Sequence, residues 1–148
     1  MLGDLGRADA TELAQMVARR EVSPAELLDA ALAAVAAHNP ALNAVVLIQE
    51  NAARAAIKAG LPHGPFRGVP FLIKDLGCEA VEFPAHNGSR LFANTSYSRN
   101  SAIFDRIQAT GVVTFGRTTS PEGGIGPATE SAPPLGRTVA RQAMPKYV

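Results

Sequence analysis

The chain of 148 residues balances 14 Lys and Arg against 13 Asp and Glu, for a formal net charge of +1, and 47% of its residues are hydrophobic. That length and apolar content suit one domain with a packed core, and near-neutrality without a basic block points away from nucleic acid. A single cysteine, Cys78, excludes an internal disulfide, and no stretch approaches the roughly 20 apolar residues of a membrane span, so a soluble chain in a reducing cytoplasm is expected.

In chain order, Asp9-Ala10-Thr11-Glu12 has the form of a helix-opening capping box, and Leu13, Met16 and Val17 follow at helical spacing. Ser23-Pro24-Ala25-Glu26 repeats that signal with proline in the first turn, where no intrahelical donor is needed. Leu27, Leu28, Ala31, Leu32 and Val35 then make one apolar stripe, and Asn39-Pro40 is expected to end it. The Ala-rich residues 30–37 read either as a partner-binding helix or as a helix packed on its own domain. Alanine permits close approach without supplying an anchor, which favours the second. Residues 43–48 are apolar and β-branched and are expected to form a strand. Residues 50–59 read as a helix ended by Gly60 and Pro62.

The Pro- and Gly-rich loop 60–68 leads into residues 69–73, a short β-branched and aromatic run expected to be a strand buried on both faces. Lys74 falls at its C-terminal end, where open α/β sheets place their chemistry. By spacing alone, Lys74-Asp75 also reads as a surface turn or a simple ion pair closing the strand. Residues 77–101 read as a long loop, of the kind that tends to carry function. Within it Cys78 reads as a small apolar filler, because no histidine is near it in sequence and His38, His63 and His86 are scattered. No metal-ligand spacing occurs, so no metal is expected.

A helix over about 99–110 is expected to put Ile103, Phe104 and Ile107 on one face, with Gly111 closing it and residues 112–115 forming the next strand. That strand delivers Gly116-Arg117-Thr118-Thr119-Ser120-Pro121-Glu122. The following Gly123-Gly124-Ile125-Gly126 lacks the Gly-Lys-Ser/Thr ending of a phosphate-binding loop.

Three ordered blocks stand out: Gly-Pro-x-x-Gly-Val-Pro-Phe-x-x-Lys-Asp at 64–75, Gly88-Ser89-Arg90, and 116–122. Together they resemble the amidase signature family, whose members hydrolyse or transfer amide bonds with a Ser, cis-Ser, Lys triad. The resemblance runs from about Ala10 to about Val139. It implies an α/β fold, part of the amidase-signature fold, with a mixed sheet and helices on its faces. It implies that Lys74 is the base acting through a hydrogen-bonded serine, and that Gly124 and Ile125 lie in the segment lining the substrate pocket. A lysine base must be neutral part of the time, which burial favours and a touching carboxylate opposes. Asp75 is therefore expected to turn away, as alternation along a strand allows.

Ser89 is set aside as a nucleophile, because the family's two catalytic serines lie in a later Gly-Gly-Ser-Ser-Gly-Gly block and a later Gly-Ser pair. Arg117 and Thr119 depart from the family's usual Gly-Lys-Thr-Asn-x-Pro-Glu, and Thr for Asn removes an amide donor. Beyond Val139 the pattern is lost, so residues 1–139 are expected to be the N-terminal part of an amidase domain and 140–148 a divergent, disordered tail. The function implied is hydrolysis of a small-molecule carboxylic amide, without cofactor, through a triad of which only Lys74 is present. The alternative is an inactive truncated or frame-shifted fragment, or one component that needs another chain. Three strands would leave an open sheet edge, through which homo-oligomerisation or association with another chain is expected.

Overall fold

The computed structural model describes residues 7–126 and Thr129, so the expected tail 140–148 lies outside the described residues. The elements are α1 (Ala10–Ala18), α2 (Pro24–Leu42), β1 (Val45–Ile48), α3 (Glu50–Ala59), β2 (Pro70–Lys74), α4 (Ala102–Ala109) and β3 (Val113–Thr118), with 3-10 turns at Arg90–Phe92 and Glu122–Gly124.

Both predicted caps form. The Glu12 N–H donates to Asp9 Oδ1 at 2.9 Å, and Ser23 and Glu26 close a reciprocal box. Helix α2 does not stop at Asn39-Pro40 as expected: it continues through Pro40 to Leu42, and Asn43, at φ 49°, closes it by donating its N–H to the Asn39 carbonyl. Pro40 sits in the final turn, where its missing N–H removes a single helical bond. The Asn39 side chain meanwhile reaches forward, donating Nδ2 to the Val45 carbonyl at 2.9 Å and accepting the Val45 N–H at 2.8 Å.

The sheet is mixed, with strand order β1-β3-β2. Strand β2 runs parallel to β3, and β1 runs antiparallel to it. The strand buried along its length is β3, where residues 113–117 are all buried. Among the described residues β2 is an edge strand, in which Ile73 alone is buried and Phe71 is 37% exposed. This corrects the expectation of a strand fully buried on both faces: β2 sends Leu72 to one core cluster and Ile73 to the other, but of these only Ile73 is fully covered, while β3 has a neighbouring strand on each side. At Gly116 a Cβ would collide with the Leu47 carbonyl oxygen of β1, so glycine permits the close approach of these two strands.

Two core clusters form. Leu28, Ala53, Leu61, Val113 and Phe115 make one, with Ala31, Leu32, Val35 and Leu72 packed on it. Ile73, Ala80, Phe83 and Phe104 make the other, joined by Leu47, Cys78 and Ile107. Adjacent strand residues point to opposite faces, so Leu72 and Ile73 assign the clusters to opposite sides of β2. The stripe of α2 thus packs on its own domain. In α4, Phe104 is buried and Ile107 half-buried, but Ile103 is 58% exposed. Phe104 and Ile107 are three residues apart and share a face, and Ile103 lies about a hundred degrees around the helix from Phe104.

Candidate functional site

Because β2 and β3 are parallel neighbours, they end together, with Lys74 opposite Thr118. The chain leaving each strand therefore meets at one edge of the sheet. Arg117, on β3, is fully buried there. Its Nε donates to the Phe83 carbonyl at 2.8 Å, its Nη1 to those of Lys74 at 2.6 Å and Gly77 at 3.3 Å, and its Nη2 to that of Cys78 at 2.7 Å. One guanidinium thus gathers four carbonyl groups, that of the last residue of β2 and three of the segment that follows it. Burial lowers its pKa and the nearby Asp75 carboxylate opposes that; arginine remains a cation in proteins. The expected Arg-for-Lys departure has its reason here, since an ammonium is a point charge without the planar fork that spans these acceptors.

Asp75 is 1% exposed. Its N–H donates to the Thr118 carbonyl at 2.7 Å. Its carboxylate accepts the N–H groups of His86 at 2.6 Å and Gly88 at 3.1 Å. Its carbonyl accepts from Ser120 Oγ at 2.8 Å. The carboxylate is therefore committed to the loop and turned away from Lys74, as expected. Gly88 is needed at its position: its φ is 66°, and a Cβ would lie 2.5 Å from the Ser120 carbonyl oxygen.

The Lys74 side chain is exposed, and among the described residues it makes no ion pair or hydrogen bond. The expectation of a buried amine is not met within these residues, because Lys74 is the last position of an edge strand. Its main chain is fixed by Arg117 and its amine stands clear.

Gly124 packs on Leu76, two positions past Lys74, where a Cβ would lie 2.7 Å from Leu76 Cδ2. The Gly123 N–H donates to the Asn87 carbonyl at 2.8 Å. The segment expected to line a pocket is thus brought against the Lys74 loop, with Ile125 88% exposed beside it. Ser89 is buried, and its Oγ accepts the Leu91 N–H at 3.3 Å, capping the 3-10 turn. Cys78 is half-buried in the second core cluster, and burial raises its thiol pKa. The Thr119 hydroxyl, in place of the family's amide, is buried without a hydrogen-bond partner among the described residues, as is His86 Nδ1. His38 and His63 are exposed. The bracing roles of Arg117, Asp75 and Ser120 were not read from the sequence. The available signal was an arginine inside a β-branched strand, since arginine is almost never fully buried unless paired.

These contacts knit the three sequence blocks into one unit, and the family model described as Amidase matches residues 26–140. The chain belongs to the amidase family. It is 36% identical over 130 residues to the acylamidase of Rhodococcus erythropolis, a match covering 82% of this chain and 27% of that protein. It is 36% identical over 124 residues to the 6-aminohexanoate-cyclic-dimer hydrolase of Paenarthrobacter ureafaciens, covering 82% of this chain and 25% of that protein. Among solved structures, that of 6-aminohexanoate cyclic dimer hydrolase complexed with substrate superposes with a TM-score of 0.80 at 33% identity, covering 88% of this chain and 27% of that one. The chain thus spans about a quarter of the length of these amidase relatives.

Proposed function

We propose that this amidase chain is the lysine-bearing part of a hydrolase of small-molecule carboxylic amides, with Lys74 as the general base of a Ser/cis-Ser/Lys triad. The observation that carries this reading is the separation of Lys74 from Asp75. The lysine backbone is braced by Arg117 while the neighbouring carboxylate is occupied by two amide groups, so among the described residues Asp75 does not pair with the Lys74 amine. Gly124 and Ile125, against the same loop, line the substrate side. The names of the relatives, an acylamidase and a cyclic dimer hydrolase, fit an amide substrate.

The 148 residues contain no Gly-Gly-Ser-Ser-Gly-Gly block. A base without its nucleophile performs no acyl transfer, because the triad acts as a unit. The isolated chain is therefore inactive, and its lysine is covered and desolvated when the remaining part of the site is supplied. Ammonia release from simple aliphatic and aryl amides tests this: no turnover is expected, and turnover by the isolated chain would require a different nucleophile.

Exposed Leu91 at 83%, Ile103 at 58% and Ile125 at 88% favour a second reading, of a chain that associates with another chain or with itself. Among the described residues β2 pairs on one side only, which leaves an edge for such association. Light scattering at micromolar concentration is expected to find assemblies, and a cooperatively melting monomer would remove this reading. A cytoplasmic location is proposed on the lone thiol of Cys78.

A further inference from the structure

Helix α1 and the loop entering β2 enclose a cleft of about 570 Å³. The lining residues of that loop, within 63–67, precede β2, whose five residues extend roughly 13 Å to Lys74 at its far end. Its lining includes Arg20, His63 and Arg67, with Thr11 and Gln15 as further hydrogen-bonding side chains, and among the described residues no carboxylate. Of the nearby acids, Glu21 pairs with Arg19 at 2.6 Å, and Arg19 is not part of the lining. Among the described residues neither Arg20 nor Arg67 has an ion-pair partner.

The backbone supplies an independent observation. Arg20 sits at φ 60° just past the end of α1. Its N–H donates to the Val17 carbonyl at 3.0 Å, and the Glu21 N–H donates to that of Met16 at 2.9 Å. This is the Schellman arrangement, in which that position is usually glycine. An arginine here accepts a conformational strain that glycine would avoid, and strain of this kind gathers at binding sites. On the opposite wall Arg67 belongs to a loop pinned to the main body: Phe66 N–H donates to the Thr110 carbonyl at 2.9 Å, and Gly68 N–H to that of Gly111 at 2.9 Å.

We propose that this cleft binds a small molecule through an oxyanion, a phosphate or carboxylate group, held between the guanidinium groups of Arg20 and Arg67. Arginine forks match such groups with paired, charge-assisted hydrogen bonds. The volume lies within the roughly 300–1,000 Å³ of small-molecule sites, leaving room for a body beyond the anion along Ala14 and Val17.

Equilibrium dialysis of the 148-residue chain against radiolabelled inorganic phosphate and, separately, acetate, at constant ionic strength, tests the proposal. Saturable uptake of either anion is expected, and the one that saturates identifies the group. Arg20→Gly should preserve or raise the melting temperature, since glycine relieves the strained backbone, while weakening uptake by about tenfold or more. Arg67→Gln should weaken it similarly. No saturable uptake of either anion, or uptake unchanged by both substitutions, would overturn the proposal.

Discussion

The shortest hydrogen bond of Arg117, on the central strand, reaches the carbonyl oxygen of Lys74 on the neighbouring edge strand at 2.6 Å. A buried guanidinium thus fixes the backbone of an exposed lysine, and the further bonds to Gly77, Cys78 and Phe83 shape the loop beyond. Arg117→Met leaves these carbonyls unpaired and should cost about 3 kcal/mol or more, while Arg117→Lys, with a point donor, should cost about 1–3 kcal/mol. Urea unfolding measures both. A lysine variant as stable as the parent would show that the forked geometry is dispensable.

Lys74 has the opposite profile. It is exposed and makes no ion pair among the described residues, so Lys74→Ala should change stability by no more than about 0.5 kcal/mol. In a chimera carrying residues 26–126 of this chain within the Rhodococcus erythropolis acylamidase, the same substitution should lower amide hydrolysis by roughly a hundredfold to ten-thousandfold. Retained turnover would remove Lys74 from the chemistry.

The capping box at α2 predicts an acid response. Hydrogen bonds from the Ser23 backbone and then its hydroxyl hold the Glu26 carboxyl below its ordinary value of 4.5. A depressed folded pKa contributes stability that is present above the unfolded value and is lost as pH falls through the folded one. Helicity followed by circular dichroism should therefore decline from about pH 4.5 downward. Ser23→Ala should weaken that pH dependence and cost about 1 kcal/mol at neutral pH. Identical acid profiles for parent and variant would count against the box.

Burial pushes the Cys78 thiol up, with the Arg117 guanidinium opposing it. The thiolate fraction under mildly alkaline conditions is then smaller than that of a free cysteine, and the thiolate is the nucleophile. Reaction with a disulfide reagent should be slower in the native chain than in urea. Equal rates would contradict a packing role for this residue.

The sequence makes the local devices visible: the caps at Asp9 and Ser23, the glycine-bounded helix α3, and Lys74 at a strand end all rest on nearest-neighbour chemistry. Long-range relations are not. The apolar run of β2 does not reveal whether a second strand lies on its far side, so its exposure, and with it that of Lys74, is not legible there. Pro40 reads as a stop because its missing donor is local, whereas the contacts that carry α2 past it come from Asn39 and Asn43. Arg117 is visible as a departure, but its acceptors lie 34 to 43 positions earlier in the chain, beyond any periodicity.

The forward reach of Asn39 has a consequence for how this molecule meets others. Its carboxamide occupies both the N–H and the carbonyl of Val45, as the backbone of an adjoining strand would. The outer margin of β1 is thereby plugged at its first residue by a side chain of the same molecule. A visitor seeking to lengthen the sheet is steered to β2, the side on which Lys74 stands, so growth of the sheet would take place on the flank that carries this lysine.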